Sequence, residues 1–278
     1  MKFKYLTIAF SIIIVFILLM AFLLPSLITA PGTDLRRSSP SAYAGFWHIF
    51  LFLFIFMALV LAGFAAFYIL NYRLFSLLER EDWPALAFYL EQELFDKKRY
   101  SVRKVQLLAS AYMVVSDYHS VLNLESKAIL AKPVTVSKNA LIFGAARVLN
   151  GNYKEAAAFY RKYMEKDGWA RWYYGFSGLL SGLNSQAESE FTALAESSAN
   201  NIITGLSAYF LDNNLIKSSL KPDECRSAAE NGRSRVTKKI KNAAGWKKEV
   251  KKTASEIHIA IIRKYVEETG KWLFNQEV

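Results

Sequence analysis

The stretch NGNYKEAAAFYRKY, residues 150–163, decides how the chain is read. It has the form of a helix start, and its first half recurs along the chain. EDWPAL (81–86) and SDYHSV (116–121) carry an aromatic in the slot of Tyr153. Trp83, Tyr118 and Tyr153 therefore stand 35 and 35 residues apart, and the next matching register falls on Asn184, 31 further on. Residues 73–216 show no period-two alternation and few Pro or Gly inside their apolar patterns, so helical spacing dominates. A period near 34 suggests pairs of antiparallel helices.

The first 71 residues differ from the rest. Two apolar runs, about residues 5–24 and 47–70, contain no Asp, Glu, Lys or Arg. Each is long enough to cross a hydrocarbon core of ~30 Å, and in lipid each must be helical to satisfy its backbone. Ala58, Ala62, Gly63 and Ala66 in the second run form a small-residue face on which the first could pack as a hairpin, the alternative being a lipid-facing helix of ordinary composition. The first run resembles a signal peptide in its basic start, Lys2 and Lys4. Its length, and Pro31 directly after Ala30, favour an uncleaved anchor. Lys2 and Lys4 before the first run, and Arg73 and Arg80 after the second, favour both termini in the cytoplasm, although Arg36 and Arg37 in the connecting loop weaken the contrast. The expectation is a two-pass protein of a bacterial inner (cytoplasmic) membrane. The sole cysteine, Cys225, excludes an intrachain disulfide.

The chain carries a net charge of +11. Four basic residues and one acidic residue lie in the first 71, leaving 31 and 23 beyond them. Residues 217–252 hold 12 basic and 4 acidic residues, which accounts for the whole surplus of eight in that remainder. Basicity thus belongs to one segment. Three readings stand for it: a solvated helix face, contact with anionic headgroups through Lys238, Lys239, Lys241, Lys247, Lys248, Lys251 and Lys252, or nucleic acid, ranked last for want of a binding motif.

The repeats resemble the tetratricopeptide-repeat family. The unit around 102–135 supplies Leu108, Ala109, Tyr112, SDY, Ala128 and Pro133. The unit around 137–168 supplies Phe143, Gly144, GNY, Ala156 and Tyr160. The unit around 168–199 supplies Tyr174, Gly175, Ala187 and Phe191 with a degenerate turn, GLNSQA. The likeness covers roughly 100 residues well and 74–101 and 200–217 faintly. Gly144 and Gly175 leave room for a neighbouring helix, Ala128 and Ala156 keep helices close, and Pro133 ends a unit. Stacked pairs then share a core that no single pair can close. The first helix of the faint leading unit falls on 67–80, the exit of the second apolar run, so one continuous or slightly bent helix is expected there.

The resemblance implies a concave face presenting Arg103, Gln106 and Ser110, then Lys138, Leu141 and Ala145, then Trp169, Trp172 and Phe176. Members that clamp acidic peptide tails use paired Lys and Asn where this chain has Gln106, Ser110, Leu141 and Ala145, which argues against that version. The aromatic end suits an apolar peptide or amphipathic helix. It could also be buried, with the protein's own C-terminal helix (254–274) covering it, since that segment must hide an apolar face.

No enzyme signature is present. His48, His119 and His258 share no metal-ligand spacing with one another or with Cys225, GLLSGLNSQ lacks the lysine of a phosphate loop, and no Gly-x-Ser-x-Gly elbow occurs. The sequence thus reads as all-α: an anchor (1–71), tetratricopeptide-like repeats (72–216), then a basic segment and C-terminal amphipathic capping helix (217–278). It predicts a non-enzymatic scaffold at the cytoplasmic membrane face that needs no cofactor or metal and binds a protein partner. The second reading is an accessory subunit recognised through its membrane hairpin.

Overall fold

The computed structural model describes the backbone of residues 40–253 and 257–275, with side chains from residue 51 onward. The expected first membrane helix, residues 5–24, lies outside the described residues, and so does any packing of it on the small-residue face. Among the described residues helix is the only regular structure. The chain forms two compact units, residues 1–86 and 87–278.

In the first unit a single helix, α1 (Pro40–Glu79), runs unbroken through residue 71, where the anchor was expected to end. Its portion Leu51–Glu79 is long and apolar enough to cross a membrane, with a mean hydropathy of 2.6. Along 51–70 nearly every side chain is exposed. Forty residues at ~1.5 Å each give roughly 60 Å, about twice a hydrocarbon core. The last turns carry an aromatic cluster, with Tyr68 stacked on Phe75 at 5.9 Å and Tyr72 edge-on to Tyr68 at 6.0 Å.

The recurring sequence pattern has a local cause. Glu81, Ser116, Gly151 and Gly182 all adopt left-handed backbone, with φ of 54°, 59°, 78° and 79°. They recur at 35, 35 and 31 residues. After each, a backbone N–H reaches back five residues to close the preceding helix. Asp82 donates to Leu77 O (3.2 Å), and Asp117 to Tyr112 O, Asn152 to Arg147 O and Leu183 to Gly178 O (each 2.9 Å). This is the Schellman arrangement, which satisfies carbonyls that a helix end leaves unpaired. The next residue but one starts the following helix. In two turns an aspartate caps it, Asp82 accepting from Ala85 N (3.1 Å) and Asp117 from Ser120 N (3.0 Å).

Three of these turns join helices that touch each other. They are α3 (Val102–Val114) with α4 (Tyr118–Ala131), α6 (Ala140–Leu149) with α7 (Tyr153–Tyr160), and α8 (Gly168–Leu180) with α9 (Asn184–Ser197). A three-residue turn between helices in mutual contact makes each pair antiparallel. Between pairs, α4 meets α6, α7 meets α8, and α9 meets α10 (Asn201–Phe210). Lys132 and Pro133 stop α4, and Pro133 opens the short α5 (Pro133–Lys138). Ahead of these pairs, α2 (Trp83–Glu91) ends in a wide turn holding the buried Glu93. Hydrogen bonds from Lys104 (2.6 Å) and Lys97 (2.5 Å) hold its carboxyl down at about 2, against the opposing effect of burial.

Glycine sets the close approaches. A Cβ on Gly144 would stand 2.2 Å from the ring of Tyr160, which lies fully buried across it and donates to Leu141 O (3.0 Å). Tyr160 in turn stacks on Tyr173 of the next pair at 5.1 Å. Gly175 admits Phe191 in the same way, at 3.0 Å. One buried ion pair crosses these layers, Arg147 Nη1 to Glu125 Oε2 at 2.6 Å, with the guanidinium over Phe159.

The remaining helices are α11 (Pro222–Lys239), α12 (Ala243–Thr253), α13 (Ile257–Ile261) and α14 (Arg263–Leu273). The expected single C-terminal helix is broken at Ile262. Its buried set nevertheless keeps helical spacing across the break, through His258, Ile259, Ile262, Val266, Thr269, Gly270 and Leu273.

These turns and contacts make a stability prediction. Gly144→Ala overpacks Tyr160 and costs roughly 1–3 kcal/mol. Gly151→Ala places a Cβ in left-handed backbone and costs about 1–2 kcal/mol, while Ser116→Gly relieves the same strain and stabilises. Urea unfolding of the detergent-solubilised chain, followed by circular dichroism, reads all three.

Candidate functional site in the helical unit

The structure divides the expected concave surface into an open polar end and a closed aromatic end. Gln106, Lys138 and Leu141 come together around a hollow of about 230 Å³, joined by Asp167 and His258. Gln106 and Lys138 are exposed, and Leu141 is half-buried. Arg103 is exposed on α3 but does not line this hollow. Local structure fixes its floor. Asn139, buried, donates to Val102 O (3.1 Å) and Thr135 O (2.8 Å), tying the α5–α6 junction to the start of α3. Asp167 caps α8 by accepting from Trp169 N (2.8 Å) and Ala170 N (3.4 Å).

Trp169, Trp172 and Phe176 do not offer an open aromatic groove. Trp172 has no exposed surface, and Trp169 and Phe176 are buried as well. Trp172 stacks on Phe176 at 5.0 Å and meets Tyr173, Phe191 and Phe210 at 5.2–6.0 Å. The C-terminal segment covers this cluster. His258 of α13 stands edge-on to Trp169 at 5.0 Å, and its carbonyl accepts from the Tyr173 hydroxyl (2.8 Å). Tyr265 of α14 packs on Phe176 and Phe210 at 5.6 and 5.1 Å. The physical reason is area. Three large rings on one helix face hide more apolar surface against the chain's own tail than they would by waiting for a partner.

Polar contacts hold the tail in place. The Trp272 indole donates to Asp212 (2.9 Å), Tyr209 to Glu268 (3.1 Å) and Arg233 to the Trp272 carbonyl (2.7 Å). Trp246 of α12 is clamped against Gly205 and Gly270, where added Cβ atoms would stand 3.0 and 2.6 Å from its ring. Its indole donates to Val266 O (3.2 Å).

The basic residues stay outside. Lys238, Lys239, Lys241, Lys247, Lys248, Lys251 and Lys252 are all exposed, Lys252 pairing with Glu249 at 2.5 Å. Lys247 and Lys251 face a cleft of about 640 Å³ between α12 and α14; the other five do not line it. Cys225 is buried, and burial pushes its thiol up to about 11. Among the described residues no group of three or more His, Cys, Asp or Glu is placed to hold a metal ion.

Against known families, residues 120–275 match the family described as an uncharacterised Treponema protein. The chain belongs to that family. The matched span begins in α4 and ends just past α14, so it takes in the second and third helix pairs together with the tail, and leaves out α3 of the first pair. The chain is also 27% identical over 253 residues to an uncharacterized protein of Treponema pallidum (strain Nichols), covering 85% of this chain and 77% of the relative.

Sequence reasoning missed His258 as part of this site. In sequence His258 shows no metal-ligand spacing, and its place beside Ile257 and Ile259 in an amphipathic segment is the signal that marks it as a packing residue. Burial pulls its imidazole down to about 4. A folded value below the ordinary ~6.5 means that this contribution to stability is complete above that pH and is lost as pH falls toward 4. Closure of the aromatic end should therefore loosen between about pH 6.5 and 4. Thermal unfolding followed by tryptophan emission should fall steeply over that window, and His258→Leu should flatten the dependence.

Proposed function

We propose that the chain is a membrane-anchored scaffold of tetratricopeptide-like helical repeats that presents a protein-binding surface at the cytoplasmic face of a bacterial inner membrane. One observation carries the reading: the same left-handed turn closes four helices at near-constant spacing, and three of the turns join helices in antiparallel contact. Repeated pairs that bury their shared faces leave a long outer surface whose side chains are free to vary, which is how such arrays hold partners. The long apolar α1 supports the anchor, and the basic flanks favour a two-pass arrangement with cytoplasmic repeats. The surface left for a partner is the polar end, around Arg103, Gln106, Lys138 and Leu141. The aromatic end serves the protein's own fold. Nucleic acid stays the weakest partner, since Trp246 is buried.

A second reading rests on α1. Along 51–70 its apolar side chains are largely exposed and it carries Ala58, Ala62 and Ala66 on one face, which suits an accessory subunit recognised within the bilayer. Photo-cross-linking of the full-length chain in cells separates the two. The scaffold reading predicts a discrete partner captured from Lys138 and lost with Gln106→Glu. Capture from Phe64 alone, with none from Lys138, contradicts it and favours the accessory subunit.

A further inference from the structure

The cleft between α12 and α14 has an apolar floor and a cationic rim. Trp246, Val250, Ile259 and Val266 make the floor. The one polar group that Trp246 brings is already consumed, its indole N–H donating to Val266 O at 3.2 Å. Such a floor offers a peptide backbone no hydrogen bond and suits a hydrocarbon chain. Around the mouth stand Lys247 and Lys251 from α12, and Arg263 and Lys271 from α14. One acid, Glu267, opposes these four cations, and Arg263 engages it at 3.5 Å. At about 640 Å³ the cleft falls within the ~300–1,000 Å³ typical of small-molecule sites. The walls are held rigidly, because Gly270 and Gly205 grip the Trp246 ring from two other helices.

We propose that this cleft binds one molecule of anionic phospholipid, with an acyl chain on the apolar floor and the headgroup phosphate between Lys247, Lys251 and Lys271. The proposal rests on the membrane-anchored reading, which keeps the chain in reach of lipid. It goes beyond surface attraction of a basic segment. It selects two of the seven sequence-predicted lysines, adds Arg263 and Lys271 from a different helix, and gives the lipid tail a place to sit.

Native mass spectrometry of the full-length chain, delipidated in non-ionic detergent, tests it. The probes are dioleoyl-phosphatidylglycerol, dioleoyl-phosphatidylcholine, inorganic phosphate and an acidic amphipathic peptide. A single phosphatidylglycerol should be retained per chain, at least about tenfold more tightly than phosphatidylcholine, and inorganic phosphate should not displace it. Joint Lys247→Gln, Lys251→Gln and Lys271→Gln should weaken retention about tenfold or more. Ala260→Trp, which fills the cleft without changing charge, should do the same. Joint Lys238→Gln, Lys239→Gln and Lys241→Gln, outside the cleft, should leave retention unchanged. Equal retention of the two lipids, equal loss from the outside lysines, or capture of the peptide in place of lipid overturns the proposal. Alkaline washing of membranes separates the two readings. A chain that stays in the membrane yet retains no phosphatidylglycerol defeats the cleft alone, whereas a chain that washes off defeats the anchor.

Discussion

Trp172 lies flat against Phe176 at 5.0 Å, ringed by Tyr173, Phe191 and Phe210, and the second unit is built around that burial. Burying a large aromatic side chain contributes of order 1.5–3 kcal/mol, so a cluster of this size outweighs any single polar contact in the unit. It also joins parts that are distant in sequence. Helices α8, α9 and α10 supply its inner walls, and Tyr265 of α14 closes it through Phe176 and Phe210. The consequence for function is a division of labour. The surface spent on the tail is unavailable to a partner, and the polar end remains.

Much of the fold was legible because the recurring motif is a backbone device. A residue that can turn left-handed, an Asp or Asn, and an aromatic repeat because the chain must end one helix and start another within three residues. Glu81, Ser116 and Gly151 differ in side chain and share the conformation, so the spacing survived where identity did not. The packing roles of Gly144, Gly175, Ala128 and Ala156 were equally readable, since only small residues fit where helices press together. The long α1 could be foreseen because its apolar run passed without a stop into the first repeat register.

The candidate site was less legible, for a reason rooted in side-chain chemistry. Trp169, Trp172 and Phe176 satisfy the pattern of a binding groove and the pattern of a core equally well, and only the position of the tail decides between them. Lysine is ambiguous in the same way. Seven exposed lysines look alike in sequence, yet Lys247 and Lys251 border a cleft with an apolar floor while Lys238, Lys239 and Lys241 do not. The break at Ile262 had no signal in a segment whose buried residues keep helical spacing on both sides of it.

The account stands on the tail and the helix pairs forming one cooperative core. Hydrogen exchange read by mass spectrometry on the full-length chain tests this directly. Peptides covering Trp169–Gly178 and Ile257–Ile261 should be protected together, and Tyr265→Ala should lower protection in both. Rapid exchange across Ile257–Ile261 while α8 stays fully protected would mean that the tail is not part of the core and that the aromatic face is open to partners.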